Sequence, residues 1–172
     1  MSDLEKPFSD SFASLEALRT LAETWNVSPP MRQLGARLEF NRVDRVRAVL
    51  DPVQPFHRGG MGTEAVNGAV LAGLFDLAIG TVGWLTRPET KSATVSLSMM
   101  FFKPTLGDRI SVEGRLLRSG MNLIFAAAGS KQTRSSVQSS GSASAPSGPS
   151  ARMVFKHQYC AVEEEREMAR SA

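Results

Sequence analysis

Asp76 is the single ionisable side chain in the twenty-residue stretch 66–85, which reads VNGAVLAGLFDLAIGTVGWL. A lone carboxylate can act as a nucleophile or take a proton from water. A helix that is apolar all round must be buried on most faces, which in a small sheet protein means that the sheet wraps around it. Burying a carboxylate costs free energy unless it is paired or functional. The stretch therefore predicts a core helix and favours a chemical role for Asp76 over one in which it only satisfies hydrogen bonds.

A transmembrane span is the alternative for residues 66–85, because about 20 residues is the right length. A central Asp costs roughly 2.5–3.5 kcal/mol on insertion scales. Four glycines add little hydrophobicity, and no basic cluster flanks the stretch. We therefore expect no membrane span.

The composition indicates one soluble globular domain, with 172 residues, 42% hydrophobic and 22% charged. The net charge of +3 is mild, and the basic residues do not form a run with interleaved aromatics, so we expect no nucleic-acid partner. The only cysteine is Cys160 and the two histidines are far apart, which argues against a disulfide framework and a metal site. The polar, acidic N-terminus lacks the features of a secretory signal. We expect a cytoplasmic protein.

Periodicity predicts the elements around this helix. Apolar residues at helical spacing predict an amphipathic helix over 10–26, ended by Pro29 and Pro30. Alternation predicts strands over 33–41 and 44–51, and then, beyond the Gly-rich loop HRGGMG, a half-buried strand over 92–102. In that strand Val95, Leu97, Met99 and Phe101 share one face. Two further strands, DRISVEGRLLR and LIFAAAG, join at SGMN.

The C-terminal part has a different composition. Residues 129–151 are dominated by Ser, Gly and Ala, so we expect a flexible insertion without function. RMVFKHQYCAV is predicted to be the closing strand, with a weak pairing of SSVQSSGSA as the alternative. Residues 163–172 are expected to be a frayed, solvated tail. The predicted organisation is an N-terminal helical extension (1–28), one domain (29–162) and this tail.

Two segments carry a resemblance to a known family: NGAVLAGLFDLAIG, and, after a strand, MMFFKPTLGDRISVEGRLLRSGMNLIFAAAG. They resemble the hot-dog fold acyl-CoA thioesterases, in the subfamily of the phenylacetate-degradation and 4-hydroxybenzoyl-CoA thioesterases. Gly68 and Asp76 fall at the family's helix-start and carboxylate positions. Its Phe-x-x-Pro-x-x-Gly-Asp pattern matches Phe101, Pro104, Gly107 and Asp108 without gaps. The resemblance covers roughly residues 31–128 and implies an α+β hot-dog fold, a curved antiparallel sheet around a long central helix, with an extra N-terminal helix.

The resemblance also implies an activity, hydrolysis of an acyl-CoA thioester, with Asp76 as the nucleophile or the base and the Gly68 N–H polarising the carbonyl. The first amides of a helix lack intrahelical acceptors and carry partial positive charge, which suits an oxyanion. Asp76 lies eight residues further on, about 12 Å along the axis, too far to reach the same carbonyl carbon. The site is therefore expected to combine Gly68 of one subunit with Asp76 of another, in a homodimer or homotetramer.

Other positions are assigned through the same resemblance, and some depart from it. Asn67 stands where many relatives have His and is expected to orient substrate. Thr94 matches a position where some relatives have a serine or threonine hydroxyl near the attacking water. The alternative is that Thr94 is an ordinary strand residue without a catalytic role. Met61 stands where relatives often have an Asn or Gln that holds the thioester or the water, which a methionine cannot do. Three alternatives follow. His57 or Glu64 takes over this role through a shift of the loop, the protein hydrolyses slowly, or it binds acyl thioesters without turnover.

The remaining substrate contacts follow from chemistry. Guanidinium groups and free amides bind phosphate well, so Arg87, Lys91, Arg118 and the Gly120 amide are candidate contacts for the CoA phosphates, or solvated surface groups. His57, Met61 and Ala69 are also assigned to substrate binding. Trp84 and the run Met99, Met100, Phe101 and Phe102 are expected to be mostly core, with one or two lining an acyl tunnel.

The predicted function is an acyl-CoA thioesterase without metal or redox cofactor, in which coenzyme A is part of the substrate. Two alternatives stay open. A non-catalytic acyl-CoA-binding protein would keep the tunnel and lose turnover. A hot-dog hydratase or dehydratase would call for a His paired with the Asp, and none lies near Asp76 in the pattern.

Overall fold

The computed structural model describes residues 12, 14–59, 64–88 and 90–133, together with the backbone of 158–162. The helices are α1 (Leu15–Asn26), α2 (Pro29–Leu34) and α3 (Gly68–Thr86), with a short 3-10 helix at Pro55–His57. The strands are β1 (Ala36–Arg42), β2 (Arg45–Leu50), β3 (Ser92–Leu97), β4 (Arg109–Ser119), β5 (Leu123–Thr133) and β6 (Gln158–Val162).

The strands form one antiparallel sheet in the order β1-β2-β4-β5-β6-β3. The long helix α3 packs against β2, β3, β4 and β5. Its fully buried side chains, such as Leu74, Phe75 and Val82, meet the inward faces of β2 and β4, where Val46, Ala48 and Val112 are buried. This arrangement of a curved antiparallel sheet around one helix is the predicted hot-dog fold, which is confirmed.

Helix α3 approaches β4 closely at Gly114. A Cβ atom placed on Gly114 would lie 3.0 Å from the carbonyl oxygen of Ala78, which is tighter than most real Cβ contacts and would require the helix backbone to shift slightly. The glycine in the middle of the strand therefore lets the sheet lie against the helix backbone.

The N-terminal helix is confirmed over residues 15–26, and the rest of its predicted range lies largely outside the described residues. Ser14 begins α1, and its hydroxyl accepts a hydrogen bond from the Ala17 N–H at 3.0 Å. The prediction for the two prolines needs correction in one respect. Pro29 and Pro30 do more than end α1, because they occupy the first positions of α2, where the missing N–H is not needed.

Two strand predictions were also wrong in detail. Strand β3 ends at Leu97 rather than 102, and its pairing with β6 is irregular between Thr94 and Ser96. This bulge turns Val95 outward, to 59% exposure, and Thr94 inward. Strand β5 extends to Thr133, so residues 129–133 of the predicted flexible insertion belong to the sheet.

The closing strand is confirmed, since β6 lies within the predicted segment RMVFKHQYCAV and pairs with both β5 and β3. Residues 134–151, including the alternative pairing of SSVQSSGSA, and the tail 163–172 lie outside the described residues.

By length and hydropathy alone α3 is a helix that could cross a membrane, with a mean hydropathy of 1.6 over its most apolar window. Half of that window is buried inside the structure. A core helix of a soluble protein passes the same test, so the helix is weak evidence for a membrane span.

Candidate active site

Asp76 lies on the one side of α3 that the sheet leaves uncovered. It is exposed in the single chain, and it makes no hydrogen bond or ion pair with any residue that the structure describes. Positions 69, 72, 73, 76 and 80 are exposed or partly exposed along an otherwise buried helix. That Asp76 faces a cleft between subunits stays a prediction.

A pocket of about 420 Å³ opens beside Asp76. Its apolar wall is formed by Trp25, Leu77, Gly80, Trp84 and Ala93. Its polar groups are Asp76, Thr81, Ser92 and Thr94. The Thr81 hydroxyl donates to the carbonyl of Leu77 at 2.7 Å. The pocket thus combines apolar surface with a carboxylate and hydroxyls at its edge, which is the usual composition of a small-molecule site.

The structure brings Thr94 to the same pocket as Asp76. The Thr94 hydroxyl lies 3.9 Å from the place that a Cβ on Gly80 would occupy, and Gly80 is one helical turn beyond Asp76. The bulge at Val95 gives Thr94 its inward orientation. The two residues predicted to act on water therefore share one cavity, and their catalytic roles stay predictions.

Gly68, the predicted oxyanion donor, is the first residue of α3 and is exposed. Asn67 caps the helix, since its side-chain oxygen accepts from the Ala69 N–H at 2.8 Å. Within the described chain the Gly68 N–H has no hydrogen-bond partner. The start of α3 thus presents the free N–H of Gly68. The Asn67 side-chain oxygen is engaged in the capping hydrogen bond and does not face a ligand.

The segment before α3 is held by Arg58, a residue that the sequence did not single out. Its guanidinium donates to the carbonyls of Glu64 (2.9 Å) and Gly107 (3.1 Å) and lies 3.2 Å from an Asp108 carboxylate oxygen. The Asp108 side chain is 48% exposed, so its place in the family pattern does not by itself point to Arg58. Arg58 therefore fixes the approach to the helix start.

His57 lies in the protein interior, with only 2% of its surface exposed. Its Nδ1 accepts from the Gln54 N–H at 2.9 Å, and its Nε2 lies 3.1 Å from the Leu34 carbonyl, which requires the Nε2–H tautomer. Burial lowers the pKa of His57 below its usual value, the bond to Leu34 opposes this, and the charge of Arg58 adds to the lowering. The geometry gives His57 a structural role and no access to substrate.

Gly107 and Asp108 of the family pattern also serve the fold. A Cβ on Gly107 would lie 2.8 Å from the Gln132 Cβ and 2.9 Å from the Thr133 carbonyl oxygen. The Gln132 side-chain oxygen accepts from the N–H groups of Leu106 and Gly107 at 2.7 and 2.9 Å. This close approach explains why the pattern needs glycine there.

At the other end of α3, Arg87 and Gly120 lie together, but the Gly120 N–H, predicted to be a free donor to phosphate, donates to the Leu123 carbonyl at 2.8 Å. The Arg87 guanidinium donates to the carbonyls of Gly120 and Met121 in the β4–β5 turn. Arg118, two residues before Gly120 on β4, is exposed, and Lys91, directly before β3, is exposed as well. A positively charged corner therefore borders the hairpin, with Arg87 anchored and Arg118 open to solvent.

An apolar surface, made of Val95, Met100, Phe101 and Phe102, is exposed beside β3. The Phe101 ring lies 3.7 Å from the position of a Cβ on Gly68, so this surface reaches the start of α3. Strand β3 ends the sheet on that side, and its outer edge has no partner strand among the described residues.

Met61 lies outside the described residues, so its consequence for turnover stays open. Among those that are described, no three His, Cys, Asp or Glu side chains form a group that could hold a metal ion.

Comparison with known proteins agrees with this architecture. Residues 64–129 match the model of the thioesterase superfamily, a little over a third of the chain, and the matched range includes Gly68, Asp76, Thr94 and Gly120. The resemblance to hot-dog thioesterases is thereby confirmed, and the match does not resolve the subfamily. No curated protein matches the sequence.

Several solved structures share the fold at low sequence identity. A thioesterase from Haemophilus influenzae superposes with a TM-score of 0.65 at 13% identity, covering 91% of this chain and 94% of its own. A thioesterase family protein from Silicibacter pomeroyi gives 0.60 at 18%, covering 84% and 93%. Zebra fish thioesterase superfamily member 2 gives 0.58 at 14%, covering 87% and 96%.

Proposed function

We propose that this protein is an acyl-CoA thioesterase that hydrolyses a thioester to a free acid and coenzyme A. The observation that carries the proposal is Asp76, an exposed carboxylate without a described partner at the edge of a largely apolar pocket that also holds the Thr94 hydroxyl. The match to the thioesterase superfamily over residues 64–129 supports the same reaction class.

In the proposed reaction Asp76 takes a proton from water while the water oxygen attacks the thioester carbonyl carbon. The carbonyl oxygen becomes an oxyanion, which the Gly68 N–H stabilises. The C–S bond then breaks, the sulfur leaves as the CoA thiolate, and that thiolate takes up the proton. Alternatively the Asp76 carboxylate attacks the carbonyl carbon itself, and the C–S bond breaks to give a mixed anhydride on Asp76 and the CoA thiolate. Water then hydrolyses the anhydride to the free acid, which regenerates the carboxylate and supplies the proton that the thiolate takes up. Both routes use no metal and no redox cofactor.

The site is proposed to be shared between two subunits. Both Gly68 and Asp76 lie on α3, eight residues and about 12 Å apart along its axis, so one thioester cannot meet both from one chain. The unpaired edge of β3 and the exposed apolar surface beside it support self-association on this side. In a two-fold dimer the free amide of one α3 can serve the carboxylate of the other.

The CoA phosphates are proposed to bind at the positively charged corner. Arg118 and Lys91 are exposed there, and Arg87 holds the hairpin that carries Arg118. Because phosphate binding by exposed cations is screened by salt, this part of the affinity should weaken as ionic strength rises.

A non-catalytic acyl-CoA-binding protein is the second candidate. It is favoured by one observation: the Asn67 side-chain oxygen accepts from the Ala69 N–H in the cap of α3 and so does not help to hold the attacking water. Met61 offers no hydrogen bond for that purpose either. A hydratase is less well supported, because His57 is buried and both its ring nitrogens are engaged.

The deciding experiment measures release of free CoA from a panel of acyl-CoA thioesters by the natural chain and by Asp76→Asn. Asn is nearly isosteric but cannot take a proton or attack, so kcat should fall roughly 10²-fold or more with a much smaller change in KM. Glu23→Gln, which neutralises an exposed carboxylate on α1, is the control and should keep its rate. An Asn variant with the natural kcat would remove Asp76 from the mechanism.

A further inference from the structure

We propose that Trp25 of the N-terminal helix and Trp84 of α3 determine acyl-group specificity, and that their pocket takes an uncharged, ring-bearing acyl group. This inference rests on the proposed acyl-CoA function. It assigns a substrate-selecting role to α1, which the sequence pattern predicted to be an extension outside the main domain.

Helix α1 contributes directly to the wall of the pocket. Trp25 lies near its C-terminal end and meets Trp84 edge to face, with ring centroids 4.6 Å apart and planes at 65°. Both rings line the same cavity as Asp76, and both are only partly buried. The Phe12 ring also packs against Trp84, with centroids 5.4 Å apart, and an incoming aromatic ring can contact the parts of Trp25 and Trp84 that line the cavity.

The size of the cavity suits a ring. An enclosed cavity of roughly 150 Å³ holds a benzene molecule, and this pocket measures about 420 Å³. The space accommodates a ring together with the thioester group that must reach Asp76. Gly80 contributes no side chain, so the ring can approach the helix backbone between Trp84 and Thr94.

The charge of the lining excludes one class of acyl group. Among the described residues that line it, the pocket has one carboxylate, Asp76, and no Lys, Arg or His. An acyl group with its own carboxylate would face this charge without a compensating cation. Dicarboxylic acyl groups such as succinyl should therefore bind poorly.

Intrinsic fluorescence offers a direct measurement, because Trp25 and Trp84 are the only tryptophans in the chain. The probes are two non-hydrolysable thioethers with equal carbon number, phenacyl-CoA and 2-oxooctyl-CoA, titrated into the full-length protein. We expect phenacyl-CoA to change the emission saturably and to bind about tenfold more tightly than the alkyl compound, as two aromatic contacts would give. In Trp25→Leu this preference should shrink to about threefold or less.

A second pair of variants tests the pocket without removing an aromatic ring. Gly80→Ala adds a methyl group inside the cavity, 3.9 Å from the Thr94 hydroxyl, and should weaken phenacyl-CoA binding about fivefold. Gly73→Ala adds a methyl group to the same helix against Leu34, at 3.5 Å, outside the pocket, and should bind as the natural chain does. Both changes replace a helical glycine and should raise the melting temperature.

The outcomes separate this inference from the proposed function. Thioether binding does not require turnover, so a protein that never releases CoA can still show the aromatic preference. Equal affinity for the two thioethers, absence of binding, or a preference that survives in Trp25→Leu would overturn the inference. So would natural affinity for phenacyl-CoA in Gly80→Ala, because a ring in the pocket must meet the added methyl group.

Discussion

The side-chain amide of Asn26 bonds both backbone groups of Leu38. It donates to the Leu38 carbonyl at 3.0 Å and accepts from the Leu38 N–H at 2.6 Å. Asn26 is the last residue of α1 and Leu38 lies in β1, at one end of the sheet. The side chain thus occupies the place of a neighbouring strand and fixes α1, with its Trp25, to the domain.

Replacing Asn26 by Ala should therefore destabilise the protein. The change leaves a donor and an acceptor of β1 without their partner, which costs about 1–3 kcal/mol, or a fall in melting temperature of about 2–10 °C for a chain of this size. Asn41→Ala, at an exposed position of the same strand, is the matched control for thermal denaturation. Equal melting temperatures for the two variants would show that Asn26 does not hold the helix.

His57 should make stability depend on pH. Its pKa is lowered in the folded state, so the unfolded chain binds the proton more readily and acid favours unfolding. The contribution is complete above the unfolded pKa of about 6.5 and is lost as pH falls from there through the lower folded pKa. Denaturant unfolding at a series of pH values should show this loss in the natural chain and a flatter profile in His57→Gln, while His157 is common to both. Parallel profiles would contradict it.

The Gly68 amide can be removed without disturbing the helix. Gly68 is the first residue of α3, where Pro is favoured, and Asn67 has φ −60° and ψ 136°, the conformation that a residue before Pro adopts. Gly68→Pro should lower kcat about 10²–10³-fold, the usual cost of an oxyanion donor. Gly68→Ala keeps the N–H and should stay within a few-fold. Similar rates for both variants would exclude the amide from catalysis.

Mixing inactive subunits tests whether the site is shared. Gly68→Pro and Asp76→Asn subunits, refolded together in equal amounts, should recover about a quarter of the natural activity, because half of the dimers are mixed and each then has one intact site. A site built within one chain would recover nothing on mixing. Sedimentation of a fully active monomer would contradict the shared site as well.

Thr94 should matter through its hydroxyl alone. Thr94→Val keeps the shape of the side chain, and losing one hydrogen bond to the attacking water should lower kcat about tenfold. Thr94→Ser keeps the hydroxyl and should retain most of the rate. An unchanged rate in Thr94→Val would make Thr94 an ordinary strand residue.

The elements with clear periodicity were predictable from the sequence, and the contacts between distant segments were not. The apolar run of α3 and the alternation in β4 and β5 gave the fold. The exposure of Asp76 depends on where the sheet stops covering the helix, which no local pattern records. The bulge at Val95 reversed the faces at the start of β3, where Thr94 points inward, while Leu97 beyond the bulge still packs against the core, because one extra residue shifts a period of two. Trp25 and Trp84 lie far apart in sequence, so the pocket that they form could not be read from either segment.

The two ends of the sheet differ in a way that limits assembly. At β1 the Asn26 amide saturates Leu38, whereas the outer edge of β3 has no strand beside it in the described part of the chain. In the proposed dimer, two copies that join through β3 would use the sheet edge that is open in the described part of the chain, and Asn26 would cover Leu38 at both outer ends of the joined sheet. The proposed association through β3 would therefore complete the site and, at the same time, remove the exposed strand edge to which further chains could add.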